Sequence, residues 1–208
     1  MAAPFTEIRS APASTLAKLE RGGTAEEALS FFDSLPPMAA AAMTGFWRGS
    51  GLRTGHPLDG MLELFGWRGK RFDGPDAVHP LIFGKPGALF SVNPSLAPLG
   101  LVLRCGRIFE SPAVAPIARA ALAILRTDKP KARLRMTEFR DVTTATMVYD
   151  SLPINDVFRC VDADTALGLM DRRGDKAPNY FYFVLRRGGA ATAPRSEAPT
   201  APARAGQL

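Results

Sequence analysis

The residues of this chain that could move a proton are few and scattered. His56 lies in Thr54-Gly55-His56-Pro57 and His79 in Val78-His79-Pro80-Leu81, and they are the only two histidines. Either could shuttle a proton near neutral pH or ligate a metal through a neutral ring nitrogen. Asp150 ends the apolar run ATMVY, with Asn155-Asp156 close behind. A carboxylate at the end of a buried strand has its pKa raised by desolvation and can act as a general acid. Asp150 and Asp156 are equally suited to capping a turn through an Asx hydrogen bond. Asp171, before Arg172-Arg173-Gly174, reads as a turn residue. Lys70 follows Trp67 and Gly69 and is placed either to meet a carboxylate across a sheet or to face water.

Other chemistries have no residues to carry them. The chain lacks a phosphate loop, a Gly-x-Gly-x-x-Gly turn, a Gly-x-Ser-x-Gly elbow and a histidine pair at helical spacing. Cys105 and Cys160 are far apart, without metal-ligand spacing, and are expected to be reduced, packed thiols; no metal site is expected. The net charge is +6, but Arg187, Arg195 and Arg204 lie in the last 22 residues and the other cations are dispersed. A solvated basic surface is the expectation, without nucleic-acid binding. No apolar run reaches the roughly eighteen residues of a membrane span. The N-terminus has no continuous apolar signal region, so a cytoplasmic location is expected.

Strands must position these groups. Residues 1–22 are expected to be a flexible N-terminus with a weak helical patch, STLAKLE, and residues 188–208, rich in Ala, Pro and Gly, a disordered tail. Thr24-Ala25-Glu26-Glu27 opens a helix with a capping box, and Pro36-Pro37 stops it. MTGFWRGSGLRT, WRGKRF and VHPLIFG read as three strands, with a short helix at Asp59 to Gly66 between the first two. Residues 101–130 are a connecting segment in which Ser111-Pro112 opens a helix through IARAALAILR. ARLRMTEF, VTTATMVYD, NDVFRCVD, TALGLMD and NYFYFVLR then alternate with turn residues, as an antiparallel meander does. The expected fold is mainly β: one antiparallel barrel of about eight strands, with an N-terminal helix and a helix in the middle. Residues 23–100 form its first half and 131–187 the second. A barrel of this size holds one small ligand. Tyr180 and Tyr182 share one face of NYFYFV, and Phe181 and Phe183 share the other; one of the two faces is the interior.

Two stretches resemble known families. GFWRGSG, TGHPLDG, GWRGKRF and VHPLIF resemble the family named for its Gly-x-Trp-x-Gly motif. RLRMTEFRDVTTATMVYDSLPINDVFRCVDADTALGLMDRRG resembles the DUF4334 domain that follows it. The resemblance covers about residues 24–186 and places Trp47, Gly49, His56, Trp67, Lys70, Asp150, Asp156 and Asp171 on motif positions. It implies a calycin-like barrel, similar to lipocalins and nitrobindins, whose tryptophan closes one end. Nitrobindins hold haem through a histidine near the C-terminus, and this chain has none after His79. Haem, on His79 or His56, is therefore a minor alternative to no cofactor. The chain is also similar to cofactor-independent lyases that open terpene epoxides such as α-pinene oxide.

That similarity implies acid-catalysed ring opening to an aldehyde in an apolar cavity. Asp150 and His56 are the expected catalytic pair, with Asp156 next. Trp47, Trp67, Lys70, His79, Tyr182 and Phe181 are the expected substrate contacts. A non-enzymatic carrier of a small hydrophobic ligand uses the same cavity and treats the carboxylates as turn caps. Either reading makes a small hydrophobic molecule the partner, and a homodimer is compatible with the sequence.

Overall fold

The computed structural model describes residues 5–96 and 114–188. Strands β1 (Gly45–Gly51), β2 (Trp67–Gly74), β3 (Ala77–Lys85) and β4 (Ala88–Ser91) come first. Strands β5 (Ala132–Phe139), β6 (Val142–Tyr149), β7 (Ile154–Asp162), β8 (Thr165–Arg172) and β9 (Phe181–Arg187) follow. Each pairs antiparallel with its neighbours, β1 pairs β9 and β3 pairs β5, which closes an eight-stranded barrel; β4 is an extra strand on the second half of β3. This is the calycin-like architecture the sequence implies.

The two seams of the barrel are unequal. β1 meets β9 over five residue pairs, from Trp47↔Arg187 to Gly51↔Phe183. β3 meets β5 at one pair, Val78↔Ala132. Two further backbone bonds support it, from Lys131 N–H to Val78 O at 3.0 Å and from Leu134 N–H to Pro75 O at 2.8 Å. Leu134 is buried, whereas Met136, two residues on along the same strand face, is 47% exposed, because β5 runs on past the β2–β3 turn, which Leu134 already meets through Pro75 O. The β5–β6 hairpin turns at Arg140 and Asp141, both with positive φ, the pattern of a type I′ turn that matches the twist of paired strands.

Two apolar cores lie on the two sides of the barrel wall. The inner one gathers Trp47, Phe72, Met147, Phe158 and Phe183. The outer one packs Leu167, Leu169, Tyr182 and Val184 beneath helices α1 (Phe5–Glu20) and α2 (Ala25–Ser34). β8 is covered on both faces, which is why TALGLM reads as an unbroken apolar run. The α2 capping box is complete, with Glu27 N–H donating to Thr24 Oγ1 at 3.2 Å and Thr24 N–H to Glu27 Oε2 at 3.0 Å.

The expectation of a flexible N-terminus through residue 22 does not hold for Phe5–Glu20. Leu16 and Leu19 are buried in the outer core, and Glu20 pairs with Arg186 at 2.8 Å. Two leucines and two ion pairs, Glu20–Arg186 and Lys18–Glu27, fasten a helix whose own apolar content is low. Short helix α3 (Met61–Leu64) and helix α4 (Val114–Ile124) complete the elements that matter below. Cys105, PLGLVLRCGRIF, Ser111-Pro112 and the tail from residue 189 lie outside the described residues. Among the described residues, no helix is long and apolar enough to cross a membrane.

Candidate functional site

The interior is shaped by two Trp-Arg-Gly tripeptides lying side by side. β1 and β2 pair with Trp47 opposite Lys70 and Arg48 opposite Gly69. Gly69 has φ +136°, and a Cβ there would lie 1.8 Å from the Trp47 carbonyl oxygen, so only glycine fits. The strand bulges at this point. A bulge resets the alternation, and so Trp67 and Lys70, three residues apart, both join the interior. Gly49 makes the reciprocal allowance: a Cβ on it would lie 2.1 Å from the Trp67 ring. Each tripeptide supplies the gap that the other one fills.

Trp47 closes one end of the barrel. Its Nε1–H donates to Met43 O at 2.7 Å, and the Arg187 guanidinium stacks 4.4 Å from its ring centroid. Arg187 in turn donates to Asp164 Oδ1 at 2.8 Å and to Ala42 O at 3.0 Å.

Toward the other end lies a cavity of about 260 Å³. Trp67, Phe83, Phe181, Phe183 and Met170 wall it from the barrel. Leu58, Met61 and Phe65 cover it from the α3 segment, and Leu122 and Leu125 from α4 and its end. Among the described residues, the lining side chains that carry polar atoms are Lys70, Tyr149, Asp156 and Trp67. Lys70 Nζ donates to Asp156 Oδ2 at 2.7 Å and to Pro80 O at 3.3 Å, and Tyr149 OH donates to the same Oδ2 at 3.4 Å. Lys70 is 3% and Asp156 1% exposed. The Lys70 ammonium also sits 4.9 Å from the Phe183 ring centroid. Two polar atoms of these lining residues are buried without a hydrogen-bond partner among the described residues: Asp156 Oδ1 and Trp67 Nε1.

Burial pushes the Asp156 carboxyl above its ordinary value, against the opposing pull of Lys70 and Tyr149. Burial and the neighbouring Asp156 push the Tyr149 phenol well above its ordinary value, so it remains protonated and donates. Burying an ammonium and a carboxylate costs several kcal/mol per ion, and apolar residues of similar volume hold a fold together at least as well. A carboxyl with a perturbed pKa, a named charged partner and an apolar cavity together mark this as the candidate site.

The other candidate residues stand elsewhere. Asp150 is exposed at the end of β6, paired with Arg133 at 3.2 Å, and does not line the cavity. Its position follows from alternation: Ala145, Met147 and Tyr149 point inward, so Asp150 points out. His56 lies in the loop before α3, where its Nδ1 accepts from Leu58 N–H at 3.1 Å. It meets the cavity's lining residues through that bond to Leu58 and through Phe181, ring centroids 5.7 Å apart. Burial lowers its pKa, opposed by Asp59 and Asp175. Asp59 does not cap α3 but gathers the N–H groups of Thr54, Gly55 and His56 on one oxygen at 2.7 to 3.0 Å. The expected Asp150–His56 pair is thus not assembled at the cavity.

His79 is buried away from the cavity lining, its Nδ1 3.1 Å from Ser91 Oγ and its Nε2 3.6 Å from Asp73 Oδ2. Burial, and then Arg71, lower its pKa. Neither imidazole is presented to a haem in this cavity. Tyr182 faces the outer core and donates to Pro178 O at 3.0 Å, so the phenylalanine face of β9 is the interior. Asp171 accepts from Asn155, and burial raises its pKa. Of the expected site residues, Asp156, Lys70, Trp67 and Phe181 come together at the cavity, and Trp47 stands at the closed end. Tyr149 was missed, although the alternation in ATMVYD carries the signal that it points inward.

Comparisons with known proteins agree with the architecture. Residues 30–87 match the profile of the GXWXG protein, and residues 130–187 match that of a domain of unknown function, DUF4334. The first match contains β1 to β3 and the second β5 to β9. The crystal structure of a protein from Thermomonospora curvata is 28% identical, with a TM-score of 0.62, covering 88% of this chain and 99% of that one. No curated protein matches the chain.

Proposed function

For a chain that carries a GXWXG domain and a DUF4334 domain closed into one barrel, we propose that the cavity takes up a small apolar epoxide of the terpenoid type, such as α-pinene oxide, and isomerises it to an aldehyde by proton transfer at Asp156. One observation carries the reading. Asp156 Oδ1 is buried and unpartnered at an apolar cavity, while Oδ2 is held by Lys70 and Tyr149. A carboxyl fixed by one oxygen and bare at the other is aimed at a guest.

The chemistry balances without a redox partner. Protonated Asp156 gives its proton to the epoxide oxygen, and the strained C–O bond breaks with its electron pair going to oxygen. The cation that results is faced by the Phe181, Phe183 and Trp67 rings, whose π faces stabilise positive charge. A skeletal or hydride shift moves the charge to the carbon that bears oxygen. Loss of the hydroxyl proton to Asp156 then forms the carbonyl and restores the acid. The Lys70 ammonium offsets the carboxylate in the interval. Apolar walls keep water from trapping the cation as a diol.

Gas chromatography of purified protein with α-pinene oxide tests this. Asp156→Asn should lower turnover by about 10²- to 10⁴-fold, the range of a general acid. Asp150→Asn and His56→Ala should retain most of it. Conversion by Asp156→Asn at the wild-type rate would sink the assignment. The apolar walls alone favour the second reading, a carrier, and saturable binding without conversion of any epoxide would decide for it.

A further inference from the structure

We infer that Trp67 is the second polar anchor of the cavity, its indole N–H donating to an oxygen on the occupant, so that the site selects neutral oxygenated apolar molecules over hydrocarbons and over carboxylates. The inference rests on the proposed uptake of a small apolar guest but not on its turnover.

Trp67 is 4% exposed, and its Nε1 has no hydrogen-bond partner among the described residues. A buried donor left without an acceptor is destabilising. The same residue type directly opposite Lys70 on β1 shows that this fold can satisfy an indole: Trp47 Nε1 donates to Met43 O at 2.7 Å. Around Trp67 the protein offers rings and a cation instead. The benzenoid edge is seated over Gly49, Phe183 meets the ring edge-on at 6.1 Å, and Lys70 Nζ lies 5.6 Å from the ring centroid. An ammonium cannot accept a hydrogen bond. Asp156 Oδ1, the other unpartnered atom, is not within hydrogen-bond reach, since both remain unpaired.

The chemistry of the two atoms defines the guest. Indole N–H is a donor only, so its partner must be an acceptor: a carbonyl, ether, epoxide or hydroxyl oxygen. Lys70 is already committed to Asp156 Oδ2 and Pro80 O. Among the described residues the cavity lining therefore offers no free cation for an anionic guest, and a carboxylate would meet Asp156 among apolar walls. A hydrocarbon would fill the space and leave both atoms bare.

Camphor and bornane share one bicyclic skeleton and differ by a carbonyl, and neither is an epoxide. Binding of each to the wild-type protein and to Trp67→Phe can be read as vapour depletion by headspace gas chromatography. Camphor should weaken by about five- to tenfold in Trp67→Phe, the effect of one lost hydrogen bond, with bornane changed by less than about twofold. Equal shifts for both compounds, or no shift for either, would overturn the inference while leaving guest uptake intact. Failure of both compounds to bind the wild-type protein would overturn the uptake reading and this inference with it. Selective camphor binding without epoxide conversion would support the anchor and refute the proposed chemistry.

A measurement on the unaltered protein stands beside the variant. The chain has two tryptophans, so its indole N–H groups give two signals in a ¹⁵N correlation spectrum, and Trp47 serves as the internal reference. Camphor should move the Trp67 signal downfield and slow its exchange with water, and bornane should not. Identical responses to the two compounds would overturn the assignment whether or not Trp67→Phe folds.

Discussion

Trp47 and Trp67 occupy the same place in the same tripeptide, on strands that pair with one another, and both are buried. Trp47 spends its N–H on Met43 O and its face on Arg187, and the barrel end around it is knit by hydrogen bonds to backbone carbonyls and Asp164. Trp67 leaves its N–H bare, and Asp156, which lines the same cavity, leaves one carboxylate oxygen bare. A region built for stability satisfies its polar groups internally, whereas a region built for a ligand leaves some for the ligand to satisfy. The repeat of three residues therefore tells nothing about role; the neighbours decide it.

The comparison can be broken most severely through its glycines. Gly69→Ala forces a Cβ against the Trp47 carbonyl oxygen at a φ of +136° and should cost at least about 3 kcal/mol or prevent folding, as read by urea unfolding. Gly49→Ala presses on the Trp67 ring, which can tilt into the cavity, and should cost about 1–3 kcal/mol. Equal costs would mean that the two gaps are equivalent.

Lys70 comes next. Lys70→Met should destabilise by about 3–5 kcal/mol by leaving the buried Asp156 uncompensated. The double variant Lys70→Met/Asp156→Leu should recover that loss, and stability above wild type by about 1–4 kcal/mol would fit an ion pair kept for function. A double variant as unstable as the single one would argue that the pair is structural.

Trp47→Phe should lower stability by about 1–3 kcal/mol by stranding Met43 O, and Trp67→Phe by under about 1 kcal/mol, because its N–H has nothing to lose. Thermal melts compare them, and the reverse order would break the distinction drawn here.

The smallest effects are in pH. Asp156 holds its proton more tightly when folded than when unfolded. Its stabilising contribution is full below the ordinary carboxyl value of 3.8 and is lost as pH rises through the raised value. Turnover should fall over the same window. His79 behaves oppositely: its folded pKa is depressed, so stability is full above 6.5 and declines as pH falls below it. His79→Gln should flatten the acid side of a stability–pH curve, and Asp156→Asn should flatten the other slope.

Much of the barrel was legible because half-buried strands alternate. The same alternation in ATMVYD assigns Tyr149 and Asp150 to opposite faces, and closure of the barrel makes the Tyr149 face the interior. Three things were not legible. The bulge at Gly69 breaks the period of two, so Trp67 and Lys70 could not be placed together from spacing alone. Both faces of β9 are buried, so hydrophobicity could not say which one lines the cavity. Lys70 and Asp156 are 86 residues apart, and only closure of the sheet brings them within reach.

The unequal seams give the molecule a mechanical character. A wall fastened by five rungs between β1 and β9 and by one between β3 and β5 is a cuff with a hinge and a latch. Any separation of the two meanders would begin at the latch, where fewer backbone bonds have to break. The amides of Lys131 and Leu134, which bridge the latch, should exchange with deuterated water sooner than those of β8, and a bound guest should slow them.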